Sequence, residues 1–334
     1  MPTIRDVASA AGVGLGTVSR VLADSPLVAP DTRARVQDAI RRLGYRPSAV
    51  ARALRRGRSD TVEVITPLFT RYFYVEVLRG VQAALSATER ALVVRSVARR
   101  RDRDLAFADP GSRGRADGVL IVSLRPTAGL LERLAAASLP AVLVDGEHPR
   151  LPSVWVDHTA AAALAVEHLL RLGHRRVALV DHAEDPFAPT YPEARGRGYR
   201  RALVRAGLAP LPGYELVTGF GPEEAASALE RLLALPEPPT AVFAGSDAQA
   251  VGVLDAARRR GLRVPEELSV CGYNDVELAQ HIGLTTVRLP MYELGRRGAA
   301  LLLEALERPS TPRASVDLPV ELVVRRTTGP PPTL

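Results

Sequence analysis

Seven short apolar runs recur downstream of Ser59: 62–65, 92–94, 118–122, 141–144, 177–180, 241–244 and 268–271. Stretches with helical spacing, such as 75–86 and 160–172, lie between most of them. A run of four or five apolar residues followed by an amphipathic helix is the repeating unit of a parallel sheet covered on both faces. Residues 60–330 exceed what one such sheet usually holds, so two Rossmann-like lobes are expected. A ligand cleft would then lie where the carboxyl ends of the strands meet. An apolar content of 46% supports cores of this size.

The first sixty residues follow other rules. Thr3-Ile4-Arg5-Asp6 has the form of a helix start, and Ile4, Val7, Ala8 and Ala11 fall on one face. Ala11-Gly12-Val13 breaks that helix, and Val18, Val21 and Leu22 resume an apolar face, giving a helix-turn-helix. A third helix is expected from about Asp31 to Leu43, stopped by Gly44. The glycines at 12, 14 and 16 are no dinucleotide fingerprint, because no strand precedes them. The segment 47–57 has Pro near its start and Gly at its end, yet is too short to hold as a helix without a partner.

Charge separates the same two parts. The chain has no lysine, and residues 1–60 carry 11 Arg against 5 Asp and no Glu, whereas residues 61–334 carry 33 Arg against 32 acids. A head with a net charge of +6 makes a polyanion its first expected partner. The clusters 99–103 and 258–260 read instead as solvated faces.

On these residues the chain resembles the lactose-repressor (LacI/GalR-type) family of bacterial transcription regulators. The resemblance rests on Thr3 to Ala8, Ala11-Gly12-Val13, Thr17 to Leu22, and Leu43-Gly44-Tyr45-Arg46-Pro47 with Ala51 and Leu54. Further along it rests on Phe73-Tyr74-Val75-Glu76, Leu172-Gly173-His174, Ser246-Asp247 and Gly272-Tyr273-Asn274-Asp275. It implies an all-α helix-turn-helix DNA-binding head (1–46), a hinge helix and linker (47–59), and a periplasmic-binding-protein-like α/β effector and dimerisation domain of two Rossmann-like lobes (60–330). Residues 14–22 would enter the major groove. The hinge would fold on the operator and drive Leu54 into the minor groove as a wedge. DNA contacts are implied at Thr3, Leu15, Gly16, Thr17, Ser19, Arg20, Tyr45, Ser48, Ala51, Arg52 and Leu54. Gly-Leu-Gly at 14–16 departs from the family's polar pattern, leaving Thr17 and Arg20 as the main polar readers of bases.

The resemblance also implies a small effector, most commonly a sugar or a nucleobase, held by Phe73, Tyr74, Asp145, Arg195, Ser246, Asn274 and Asp275. Crossings between the lobes are expected near His158, Val287 and Leu318. Ser246, Asn274 and Leu289 replace residues common in the family, which leaves the effector's identity open. A homodimer is expected because paired heads read a near-palindromic operator. The proline-rich end, Gly329 to Leu334, does not suit a tetramerising coil.

The mechanism stays open among a sugar-controlled repressor, one needing a nucleobase-type corepressor, and a ligand-insensitive one. A transport-type binding protein would show a signal peptide where this chain has a basic helix-turn-helix. An α/β enzyme would show a nucleophile elbow, Walker loop or metal-ligand spacing, and none is present in the sequence. No catalytic residue, cofactor or metal is therefore expected. With a lone Cys271 and no long uncharged apolar window, the expected location is cytoplasmic, at the nucleoid, away from membrane.

Overall fold

The computed structural model describes residues 2–45, 59–112, 115–182, 191–308 and 314–333. The chain divides into two compact units, Met1–Asp60 and Thr61–Leu334.

In the first unit, α1 (Ile4–Ala11), α2 (Leu15–Leu22) and α3 (Pro30–Leu43) enclose a small core. Asp6 N–H donates to the Thr3 hydroxyl, and Thr3 N–H donates to the Asp6 carboxylate at 2.7 Å. That reciprocal cap satisfies two otherwise orphaned donors. Gly12 ends α1 at φ +62°, a left-handed conformation that a β-carbon disfavours. Proline supplies the first residue of α3, one position earlier than expected from the sequence. Val7, Ala8 and Ala11 of α1 pack on Val18 and Val21 of α2 and on Val36 and Ala39 of α3, with Val28 filling the gap from the intervening loop. Arg33 fastens that loop by binding the Asp24 carboxylate and the Ser25 carbonyl, each at 2.5 Å.

The second unit is two α/β lobes. The first is built from β1 (Thr61–Pro67), α4 (Tyr72–Leu85), β2 (Ala91–Val97), α5 (Arg100–Ala108), β3 (Gly118–Val122), α6 (Ala128–Ala136), β4 (Ala141–Val144) and β5 (Ser153–Trp155). The second continues with α7 (His158–Arg171), β6 (Val177–His182), α8 (Tyr191–Arg205), β7 (Glu215–Thr218), α9 (Pro222–Leu233) and β8 (Ala241–Ala244). Next come α10 (Asp247–Arg259), β9 (Ser269–Asn274), α11 (Glu277–Ile282) and β10 (Thr285–Arg288). Then α12 (Met291–Glu307) and β11 (Ser315–Asp317) return to the first lobe, and β12 (Glu321–Val323) belongs to the second. The sheet orders are β11-β5-β4-β3-β1-β2 and β12-β10-β9-β8-β6-β7. Every pairing is parallel except β10 with β12.

The chain therefore crosses between the lobes three times: at His158, between Arg288 and Met291, and at Leu318. All seven apolar runs form strands. Five further strands among the described residues, β5, β7, β10, β11 and β12, are only three or four residues long. β7, β11 and β12 are sheet edges with exposed residues, where a continuous apolar run is not required, whereas β5 and β10 stand one place in and are mostly buried.

Two helices of the first lobe nearly touch. A β-carbon on Gly80 of α4 would lie 1.9 Å from the Tyr292 carbonyl oxygen, and one on Gly295 of α12 would lie 1.9 Å from that of Val77. The contact places the start of α4, Tyr72-Phe73-Tyr74, at the cleft.

Candidate nucleic-acid interface and ligand cleft

On α2, Val18 and Val21 face the core, while Leu15, 46% exposed, lies in solvent with Gly16 and Arg20. Thr17 and Ser19 are half-buried. Gly14 precedes the helix and brings no side-chain oxygen, so no side chain caps its first turn. An uncapped helix start directs N–H groups outward, where a phosphate can accept from them. Thr3 spends its hydroxyl and amide on the α1 cap. Tyr45 packs half-buried against the three-helix core. Ser48, Ala51, Arg52, Leu54 and the expected hinge helix fall outside the described residues.

In the second unit, a cavity of about 410 Å³ opens between the lobes at the carboxyl ends of the strands. Phe73, Tyr74, Asp145, Arg195, Ser246 and Asn274 all line it, although they are spread over 202 positions of the sequence. Asp145 follows β4 and accepts hydrogen bonds from the Ser123 hydroxyl at 2.6 Å and from His158 Nε2 at 3.0 Å. Because the carboxylate only accepts, the imidazole proton sits on Nε2, and Nδ1 accepts from the Tyr273 hydroxyl at 2.8 Å. Burial pushes the Tyr273 phenol well above its usual range, so it keeps that proton. The relay joins the first lobe to the second through the crossing residue.

Arg195 projects from α8 into a buried ion pair. Nε and Nη2 donate to Asp181 at 2.9 and 2.7 Å, and Nη2 also donates to His182 Nε2 at 2.9 Å. Burial opposes the guanidinium charge, but the Asp181 carboxylate outweighs it and raises the Arg195 pKa. Nη1 has no partner among the described residues, although the side chain is only 6% exposed. The Asn274 carboxamide, which is only half-buried, makes no hydrogen bond among the described residues either. Buried donors without partners are rare in native proteins and point to a ligand or solvent partner. Asp145 (φ +59°) and Asn274 (φ +115°) also hold backbone conformations that L-residues seldom adopt. Strain of this type gathers at binding sites.

Asp275 does not join them. It follows Asn274 with φ +58°, and its carboxylate binds Arg325 and Arg288, each at 2.7 Å, outside the cavity lining. Asp275, expected as an effector contact, lies outside this lining, and its charge fastens β10 and the segment after β12. The sequence reading missed Arg71, Tyr72, His182, Phe220 and Tyr273 as lining residues. Arg71 and Phe220 come from loops of opposite lobes and stack with the guanidinium carbon 3.7 Å from the ring centre. No sequence periodicity marks them. Among the described residues no group of His, Cys, Asp or Glu could hold a metal ion.

Asp247, also in the lining, accepts from Thr286 Oγ1 at 2.6 Å and from Val276 N–H at 2.8 Å. Burial dominates, and the carboxyl pKa is pushed up to about 7. The folded state therefore holds a proton that the unfolded chain has already lost between about pH 4 and 7, so stability must fall as pH rises through that window. The expected decline is about 1 kcal/mol per pH unit between pH 5 and 7. Urea titrations of the parent and Asp247→Asn should show it flattened in the variant, and parallel pH profiles would contradict the assignment.

Two family descriptions match this chain: "Bacterial regulatory proteins, lacI family" over residues 3–48 and "Periplasmic binding protein-like domain" over residues 166–328. Catabolite control protein A of Priestia megaterium is 34% identical over 98% of this chain and 99% of its own length. The HTH-type transcriptional repressor CytR of Escherichia coli K12 is 34% identical over 98% and 96%. Among solved structures, the lac repressor dimer bound to operator and the anti-inducer ONPF superposes with a TM-score of 0.84 at 28% identity, covering 98% of this chain and 99% of that one. The complex of the transcriptional regulator CelR with cellobiose gives 0.70 at 32% identity, covering 98% and 100%. A helix-turn-helix head, two Rossmann-like lobes crossed three times, and near full-length relatives at this identity place the chain in the lacI family of bacterial regulatory proteins.

Proposed function

We propose that the chain is a repressor which binds a near-palindromic operator as a homodimer and is controlled by a small ligand, a sugar, in the cleft. The carrying observation is the polar set that lines the cleft: Asp145 from one lobe, with Arg195, Ser246 and Asn274 from the other. A ligand that hydrogen-bonds to both lobes favours one arrangement of them over another, and differential affinity of that kind is what allostery requires. The relatives support the rest of the reading, since the similar proteins include a ribose operon repressor of Escherichia coli K12 and a lac repressor dimer on its operator.

In this reading residues 1–46 form the DNA-binding head, 47–59 the hinge, and 60–330 the effector and dimerisation domain. Leu15, Gly16, Thr17, Ser19 and Arg20 meet bases and phosphates, with Thr3, Tyr45 and the hinge residues Ser48, Ala51, Arg52 and Leu54 completing the contact. Phe73 and Tyr74 wall the effector. The protein acts on DNA in the cytoplasm and catalyses no reaction. No helix among the described residues is long and apolar enough to cross a membrane.

Selection of bound duplexes from random DNA tests the reading, with a symmetric motif around a central pyrimidine-purine step as the expected product. Sugars are expected to release the selected duplex. Tightening by a nucleobase would favour the corepressor alternative, and indifference to both would favour a ligand-insensitive repressor. Leu54→Ala is expected to weaken operator binding tenfold or more at fixed salt, because the wedge that kinks the duplex is gone. Unchanged affinity in matched titrations would remove Leu54 from that role.

A further inference from the structure

We infer that Asp181, a positioning residue behind the cavity lining, closes the cleft to anionic ligands by occupying the side of Arg195 that would otherwise bind them; this rests on reading the cleft as the effector site. Strand alternation turns Asp181 toward α8, on the same face of β6 as Val177 and Leu179. Helical spacing puts Arg195 on the inward face of α8 with Tyr199 and Ala202. The two charges therefore meet inside the lobe, directly behind the wall of the cleft. Gly245 shows how thin that wall is. It lines the cavity, and a β-carbon on it would lie 2.2 Å from Asp181 Oδ1 and 3.2 Å from Arg195 Nε.

A guanidinium takes a phosphate or carboxylate best through two parallel N–H bonds, and it has two edges that can supply them. The edge made of Nε and Nη2 is spent on Asp181, at 2.9 and 2.7 Å. The other Nη2 hydrogen goes to His182 Nε2 at 2.9 Å, which breaks the edge that Nη2 shares with Nη1. Nη1 can still give single bonds to a hydroxyl or carbonyl oxygen, but an oxyanion finds no fork. Charge acts in the same direction. Arg71 and Arg195 are the cations of the lining, and Asp145 and Asp247 are its carboxylates. Asp181 adds a further negative charge behind the wall. All three carboxylates are at most 3% exposed, so water screens them little. The net charge of this set is negative with Asp247 ionised and nil with it protonated. An anion entering the cleft gives up its hydration and gains no compensating field, whereas an uncharged polar ligand meets no such penalty.

Inorganic phosphate is a probe that does not depend on the effector's identity. In calorimetry on the full chain at fixed pH and ionic strength, Asp181→Asn is expected to bind phosphate tenfold or more tighter than the parent. The amide offers one acceptor where the carboxylate offered two, which frees part of the Nε and Nη2 edge and removes the opposing charge. Adding Arg195→Gln to that variant should return it to the parent's affinity, which a gain made at the basic head or through loosened packing would not do. Asp181→Ser opens the same edge by a second route if the amide variant fails to fold. Two matched pairs carry the test to sugars: glucose with glucose 6-phosphate, and ribose with ribose 5-phosphate. In the parent the phosphorylated member is expected to bind tenfold or more weaker than a sugar that binds, and Asp181→Asn should cut that gap to threefold or less. Equal phosphate affinity in the parent and both Asp181 variants would overturn the inference. So would a gain that survives Arg195→Gln, or a parent that takes a sugar phosphate as tightly as its sugar. Each of these outcomes leaves the cleft as an effector site. Failure of both sugars and both sugar phosphates would count against the sugar reading of the cleft, and the phosphate series would still decide the role of Asp181.

Discussion

Arg195→Leu is expected to destabilise the protein by about 3–5 kcal/mol, the cost of leaving a buried charge without its partner. The charge left behind is Asp181, whose side chain is 5% exposed and whose two oxygens receive Arg195 Nε and Nη2. Only one further donor to that carboxylate is present among the described residues, the backbone N–H of His182 at 2.8 Å. One neutral donor cannot replace a bidentate guanidinium. The double variant Arg195→Leu, Asp181→Leu should therefore be more stable than the single one, because removing both charges removes the desolvation penalty with them. Both variants should lose effector binding, since the guanidinium that lines the cavity is gone in each. Urea unfolding separates the two consequences. A single variant within about 1 kcal/mol of the parent would show that Asp181 finds other relief and that the ion pair does not hold this side of the cleft.

How far such features can be read from residue order depends on how local their causes are. The reciprocal cap of Thr3 and Asp6 and the break at Gly12 lie within a few bonds of the helix they shape, so both were legible. The strands at 118–122 and 141–144 are buried throughout, and their unbroken apolar runs say so. Thr285-Thr286-Val287-Arg288 is also a strand, but its threonines serve Asp247, Thr327 and Thr328 through side-chain and backbone hydrogen bonds that no periodicity records.

The cleft is less local still. Phe73, Tyr74, Asp145, Arg195, Ser246 and Asn274 could be grouped in advance only through a family resemblance, because nothing in their spacing brings them together. Asp275 shows the limit of that route. Its neighbour Asn274 lines the cavity, and a backbone reversal over the two residues turns the next carboxylate toward Arg288 and Arg325 instead. Arg71 and Phe220 carry no sequence signal, since each matters only because the other lobe supplies its partner.

Gly295→Ala is expected to destabilise the second unit by about 3 kcal/mol or more, for a fall in melting temperature of about 6–12 °C. The added methyl would meet the Val77 carbonyl oxygen at 1.9 Å, and the atom in the way is helix backbone, which cannot swing aside as a side chain can. Gly80→Ala meets the Tyr292 carbonyl at the same distance and should behave alike. Gly16→Ala gives the contrast: it lies inside α2 with nothing within 4 Å of the new carbon, so the head should gain about 0.5–1 kcal/mol from the better helix former. The same substitution thus changes sign with its neighbour. Function should follow the packing, because α4 delivers Tyr72, Phe73 and Tyr74 to the cleft and α12 begins where the chain has just recrossed between lobes. Forcing these helices apart displaces the aromatic wall relative to Asp145 and Arg195, so effector affinity should drop in Gly295→Ala even at temperatures where the protein remains folded. A variant that melts with the parent would mean that the two helices are not in contact at this crossing.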